Sequence, residues 1–335
     1  MAMSSFSNSP RVPNAATSSR RLRDILLPVG LVGLVLIGLI GLAVATGWEE
    51  TIAAMRGLSI QQIIALLALS LVNYVLRGLR WHLFAGRLGL TTTLLQNLRH
   101  FVGGFAMSVT PGRIGELVRM RWIQRETGWP FDRTAPLFLV DRASDLSAMA
   151  VLLALAIAFS TTGIVGGLPV AILALIAAFI ATRPRLLRLV GDSGHRVSGR
   201  RFPRLFARVR RAAKSLGVFQ GPTILVAAGT LGVIGWLAEG WAFHLLLVWM
   251  GADIGFWSAV GIFIFATLAG GLTGAPGGLG GAEAAMVALL LGYGVPIEIA
   301  LPATLIIRLT TLWFAILIGF LVFPLAERHS KMSKI

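Results

Sequence analysis

Six stretches of this chain run apolar for about twenty residues each, near 25–46, 59–83, 134–160, 164–181, 222–249 and 298–324. A helix needs ~20 such residues to cross the ~30 Å hydrocarbon layer of a bilayer, since each residue rises ~1.5 Å. No water reaches that layer, so every peptide group must be paired inside its own segment, and repeated apolar runs of this length fold as membrane helices. Composition points the same way, because 56% of the 335 residues are hydrophobic and only 13% charged, too few charges to cover a water-facing surface. Cysteine is absent, which excludes disulfide frameworks, thiolate metal sites and cysteine nucleophiles.

The first run follows a Ser-, Asn- and Pro-rich tail, 1–23, that carries Arg20, Arg21 and Arg23. A cleavable signal peptide has an apolar core of ~7 to 15 residues, so a run from Ile25 to Thr46 reads instead as an uncleaved anchor. Two further segments are apolar but interrupted. The stretch 94–127 breaks at Thr110-Pro111-Gly112, and 257–295 breaks at Ala275-Pro276-Gly277-Gly278-Leu279-Gly280-Gly281. Proline has no N–H and glycine favours non-helical backbone, so each break needs protein or water around it rather than acyl chains. Each segment is expected to be a pair of short helices forming a re-entrant hairpin that faces a cavity.

Basic residues fix the expected orientation. With six spans and two hairpins, the N-terminus, 77–99, 113–133, 182–221 and the C-terminus fall on one side, and they hold 27 of the 30 Lys and Arg. The positive-inside rule then puts both termini in the cytoplasm and the chain in a cell's inner membrane. The net charge of +16 reads as a topology signal rather than as a nucleic-acid surface, because its basic residues lie between apolar segments. Loop 182–221 has eleven basic residues against Asp192 alone. Within it Phe202, Leu205, Phe206, Val209, Ala213 and Leu216 recur at helical spacing, the pattern of an amphipathic helix on an anionic leaflet.

The chain also repeats itself. Pro111-Gly112 is followed by Glu116 and then, 31 residues after the proline, by Arg142 inside a span; Pro276-Gly277 is followed by Glu283 and, 32 residues after the proline, by Arg308 inside a span. The halves, about 59–160 and 222–324, are joined by span 164–181 and the basic loop, within a membrane domain 24–325 that ends in a short tail, 326–335. Flanking charges make the first hairpin cytoplasmic and the second external, so the halves are related by inversion. Inverted repeats with discontinuous helices at mid-membrane are the recurrent architecture of secondary transporters.

Four motifs in order carry a family resemblance: Leu76-Arg77-Gly78-Leu79-Arg80-Trp81, Thr110-Pro111-Gly112-Arg113-Ile114-Gly115-Glu116-Leu117-Val118-Arg119, Val140-Asp141-Arg142-Ala143-Ser144-Asp145, and Ala275-Pro276-Gly277-Gly278-Leu279-Gly280-Gly281-Ala282-Glu283. Over roughly 25–325 the chain resembles the flippase-like transmembrane region of lysylphosphatidylglycerol synthases. The resemblance implies movement of a polar lipid between leaflets, with membrane lipids as partners and a lipid-synthesis enzyme as a further partner. Nothing after Leu325 is long enough to form the soluble aminoacyl-transferase domain of the full synthases, so a stand-alone, non-enzymatic member is expected.

The intramembrane charges are the candidate site. An ionisable group inside a span costs ~2.5 to 3.5 kcal/mol on insertion scales. Arg142 and Arg308 suit a lipid phosphate, because a guanidinium stays charged when desolvated and matches phosphate as a bidentate fork. The competing reading pairs Arg142 with Glu116 or Asp145, and Arg308 with Glu283, as structural ion pairs. Asp141 and Asp145 neighbour Arg142 on one helix. Glu116 and Glu283 each begin a second half-helix, where the helix dipole favours a carboxylate, and both are also candidates for proton or headgroup contacts. Glu239 lies mid-span, either as a proton carrier or as a hydrogen-bonded neighbour of another helix. Composition reads Arg77, Arg80 and Trp81 as anchors snorkelling to the interface, whereas the resemblance makes them, with Arg119, headgroup contacts at the cytoplasmic mouth. Pro111, Gly112, Pro276, Gly277 and Gly278 would shape the breaks.

No phosphate-binding loop is present and lysine occurs only at 214, 331 and 334, so no ATP hydrolysis or other cofactor is expected. Two other classes stay open: a lipid-phosphate or polyprenyl-diphosphate hydrolase, for which no paired carboxylate or metal motif is found, and a non-transporting partner of a lipid synthase.

Overall fold

The computed structural model describes residues 48–110, 116–160, 167–197 and 216–332, and every regular element among them is helical. The runs at 59–83, 134–160 and 222–249 each become one helix, the described part of 164–181 is helical from Gly167, and 298–324 is helical throughout with a π turn inside it. A short helix, α1 (Trp48–Gly57), leads into α2 (Ile60–Leu88), which starts on a reciprocal cap between Ser59 and Gln62 and stops where Gly89 turns left-handed, φ 88°. Then follow α3 (Leu94–Gly103), extended by a 3-10 turn over Gly104–Met107, and α4 (Val118–Thr127). The long α5 (Phe131–Phe159) is followed by α6 (Gly167–Thr182) and α7 (Pro184–Val197). The second half has α8 (Pro222–Trp249), α9 (Phe256–Leu272), α10 (Gly281–Gly292) and α11 (Ile297–Arg308). A π-helical turn, Leu309–Trp313, joins α11 to α12 (Phe314–Met332).

Among the described residues four helices are long and apolar enough to cross a membrane: α2, α5, α8 and the continuous run Ile297–Met332. Shorter apolar helices accompany them, in α6, α9 and α10. The bundle has an apolar core threaded by buried charge, and its outer surface also carries large apolar side chains, which a water-facing surface would not. Leu71 and Val75 on α2, Val226 on α8 and Leu321 on α12 are exposed, whereas Arg80, Arg119 and Asp141 are wholly buried. The protein is an all-helical, multi-pass membrane protein.

Both interrupted segments fold as two packed arms. Across the first, Arg99 on α3 donates to Glu126 on α4 at 2.7 Å, and His100 stacks on Trp122. Pro111 and Gly112 lie outside the described residues, as do the first run, 25–46, and all but the end of the expected amphipathic stretch 202–216. In the second, α9 ends at Leu272, Pro276–Gly278 form one 3-10 turn, and α10 begins at Gly281. Gly277, Gly278 and Gly280 have φ of 62°, 71° and 79°, a region where a side chain is strained. Gly278 also lies so close to α9 that a Cβ would sit 3.0 Å from the Gly270 backbone.

Helix α8 packs on α2, α5 and α9, and α12 packs on α3 and α4. Gly240 allows the α8–α9 contact, since a Cβ there would be 3.2 Å from Val260. At the far end of α12, Glu327 accepts from Arg121 at 2.6 Å, Arg125 at 2.7 Å and the Trp122 indole at 2.9 Å, holding the helix to α4.

Candidate functional site

The site is a buried seam of charge where α2, α4, α5, α8, α10 and α11 meet. Arg77 and Arg80 lie one turn apart on α2, and Asp141 and Asp145 lie one turn apart on α5, so the two rows face each other. Arg77 Nη2 donates to Asp145 at 2.7 Å, while Arg80 Nη2 donates to Asp141 at 2.7 Å and to Asp145 at 2.6 Å. The Trp236 indole adds a hydrogen bond to Asp145 at 3.2 Å. This corrects the snorkelling reading. Arg77, Arg80 and Trp81 are 4%, 0% and 0% exposed; the two arginines are held inside because two carboxylates on the facing helix compensate what would otherwise be unpaired buried charge, and Trp81 packs on Phe101.

Arg142 extends the seam, 2.8 Å from Asp141, 3.4 Å from Asp145 and 3.6 Å from Glu116. Its side chain keeps 24% exposure, the most open guanidinium of the seam. Glu116 is placed by the first broken segment. It lies in the turn just before α4, accepts from the Ser108 hydroxyl at 2.9 Å and approaches Arg119 at 3.3 Å. Arg119 is wholly buried, its guanidinium 4.4 Å from the Phe101 ring and also over Trp81 and Phe105. Gly104 makes the room: a Cβ there would lie 2.1 Å from Arg119 Nε.

The second half repeats the pairing in a tighter form. Arg308 Nε donates to Glu283, in the first turn of α10, at 2.6 Å, and its Nη2 donates to the Gly277 carbonyl at 2.8 Å. The break frees a carbonyl, and the arginine of the following helix takes it. In both halves, then, the carboxylate after the break pairs with the arginine of the next helix. Just past Arg308 the helix widens into its π turn, where the Tyr74 hydroxyl donates to the Thr311 carbonyl.

Arg142 and Arg308 line one cavity of about 380 Å³. Its charged end also holds Asp145, Trp236 and the backbone of Gly277 and Gly278; its walls are apolar, from Leu146, Met149, Val170, Leu173, Leu268 and Leu272. Leu173 and Leu272 at the rim are 54% and 71% exposed, so the apolar part opens sideways onto the outer face of the bundle. A smaller chamber of about 40 Å³ adjoins it, sharing Trp236, Thr267 and Arg308 and lined further by Tyr74, Arg77, Ser108, Glu239 and Thr311. It has room for a water or two.

Of the residues expected from sequence, Arg142, Asp145, Gly277, Gly278 and Arg308 therefore meet at the large cavity, and Arg77 and Glu239 at the small one. Asp141, Glu116 and Glu283 pair with the arginines from behind. Arg80, Trp81 and Arg119 are packed inside the first half, away from both cavities, and Pro276 sits half-buried at the turn. Sequence reasoning missed Trp236, Tyr74, Ser108 and Thr267. Trp236 carried a usable signal, lying three residues before Glu239 and hence on the same helical face.

A model of the lysylphosphatidylglycerol synthase TM region matches residues 29–319. A UPF0104 membrane protein of Methanothermobacter thermautotrophicus is 32% identical over 89 residues, a match spanning 27% of this chain and 27% of that protein. With the family match covering most of its length, the chain belongs to the lysylphosphatidylglycerol synthase TM-region family.

Proposed function

We propose that this chain moves a polar lipid between the leaflets of the inner membrane, without ATP hydrolysis and without being an enzyme itself. The observation that carries this reading is the large cavity. It joins two guanidinium groups, one from each half of the chain, to an apolar wall open at the side of the bundle. A phospholipid or glycolipid has the same division: its phosphate or polar head would lie against Arg142 and Arg308 while its tails stay along Leu173 and Leu272. A volume of about 380 Å³ suits a headgroup rather than a whole lipid.

The fine architecture belongs to this proposal. The two interrupted segments are re-entrant hairpins entering from opposite sides, and the halves 59–160 and 222–324 form an inverted repeat with both termini cytoplasmic. The matched pairs Glu116–Arg142 and Glu283–Arg308 support that symmetry. Rocking one half against the other would open the cavity to each leaflet in turn. Because both arginines already hold carboxylates, an arriving phosphate displaces them from the guanidinium groups, so ion pairing and lipid binding are successive states of the same side chains.

The test is flux of a fluorescent phospholipid in reconstituted vesicles. Transfer at a rate above protein-free vesicles, lost in Arg142→Ala and Arg308→Ala, is the expected result. Unchanged transfer in both variants removes their proposed role.

A further inference from the structure

We propose that the protein carries a second lipid site, a crevice toward one end of the bundle that holds the upper segment of one acyl chain of an anionic phospholipid while Arg183 holds its phosphate. The crevice, about 130 Å³, lies on the face of α5 opposite the transport cavity. Val140, Ser144 and Ser147 point into it, whereas Arg142, Asp145 and Met149 point the other way, as a helical repeat of 100° per residue requires. Phe84, Phe179, Phe219 and Leu225 supply its apolar lining. The Ser144 and Ser147 hydroxyls donate to their own helix, to the carbonyls of Val140 at 2.8 Å and Ala143 at 2.9 Å, so the α5 face of the crevice suits a hydrocarbon chain, with Gln220 the remaining uncharged polar residue of the lining.

The headgroup end is set by charge. Arg183 is exposed, lies 5.1 Å over the Phe179 ring and lines the crevice. It opens a segment, 182–221, with eleven basic residues and one acidic residue, and α7, which follows directly, sets Arg185, Arg188 and Arg196 along a short amphipathic helix. The crevice is built from the C-terminal parts of α2 and α6, the N-terminal half or so of α5 and α8 and the 3-10 turn Leu216–Phe219, so it sits toward one end of the bundle. A guanidinium at the mouth of an apolar slot, Arg183, matches an anionic phospholipid and not a zwitterionic one, which brings its own cation. The site stands apart from transport, so its test does not depend on flux.

The full chain is placed in nanodiscs of phosphatidylcholine with a minority of phosphatidylglycerol, and retained lipids are counted by native mass spectrometry. Gly229 lines the crevice with open space where its Cβ would be, so Gly229→Leu fills it; Gly271 lines the transport cavity with the same open space, so Gly271→Leu fills that instead. The expected result is loss of one phosphatidylglycerol per protein in Gly229→Leu and in Arg183→Gln, retention in Arg183→Lys, and loss of one further lipid when Gly229→Leu and Gly271→Leu are combined. An unchanged phosphatidylglycerol count in Gly229→Leu or in Arg183→Gln overturns the site. Loss of phosphatidylcholine as readily as phosphatidylglycerol overturns its anionic character.

Discussion

Replacing Arg308 separates its two proposed duties. Its guanidinium pairs with Glu283 at 2.6 Å, with the two side chains 6% and 10% exposed, and donates to the Gly277 carbonyl at 2.8 Å. Arg308→Met alone leaves the Glu283 carboxylate buried without its partner, which costs about 3–5 kcal/mol of stability. Adding Glu283→Leu removes the stranded charge. The double variant then lacks only the bond to the Gly277 carbonyl, worth about 1 kcal/mol, and its stability returns to within about 1–2 kcal/mol of the native protein. Lipid transfer does not return, because the phosphate keeps only Arg142 of its two guanidinium partners; loss of one charge-assisted contact of about 1.5–3 kcal/mol weakens binding roughly 10- to 100-fold. Unfolding in detergent, followed by intrinsic fluorescence, and vesicle flux are measured on the same preparations. Recovery of both stability and flux in the double variant would refute the reasoning, since it would leave Arg308 with nothing but its ion pair.

Three further outcomes follow from the buried seam and the breaks. Arg80→Ala takes from Asp141, which like Arg80 is 0% exposed, one of its two guanidinium partners and leaves it Arg142, and should lower stability by about 1.5–3 kcal/mol in the same unfolding assay, whereas Arg56→Ala, on the short α1 outside the seam, should change it by less than about 0.5 kcal/mol. Gly104→Ala forces Arg119 to move out of a pocket of Trp81, Phe101 and Phe105 and should cost about 1–3 kcal/mol; a neutral result would mean that the arginine is not confined. Gly278→Ala combines a φ of 71° with a clash against the Gly270 backbone and should cost about 1–3 kcal/mol, while Gly271→Ala, with open space around it, should be neutral or stabilising on thermal unfolding.

Much of the fold was legible because membrane helices announce themselves by length and apolarity. The runs at 59–83 and 222–249 match α2 and α8 to within a few residues, and the Pro-Gly-Gly-Leu-Gly-Gly break falls where α9 gives way to α10. The same rule misplaced Arg77 and Arg80. Near the end of an apolar run, interface and interior differ only by what stands opposite, and that depends on Asp141 and Asp145 more than sixty residues away. Arg142 and Arg308 were recognisable as costly charges, but their convergence on one cavity follows from helix packing. The apolar wall of that cavity, Val170 and Leu173 on α6, had no signal at all, because a lipid-facing leucine and a cavity-lining leucine look alike in sequence.

The central claim is that a lipid head lies between Arg142 and Arg308 with its tails along α6. Photocrosslinking in native membranes reads this directly, with a photoreactive residue at Val170 inside the cavity or at Val226 on the exposed outer face of α8 as the reference. The account predicts a phospholipid adduct at position 170 that disappears in Arg142→Gln and Arg308→Gln, while background lipid capture at position 226 persists. A 170 adduct that is absent in the native protein, or equally strong without the two arginines, would contradict it.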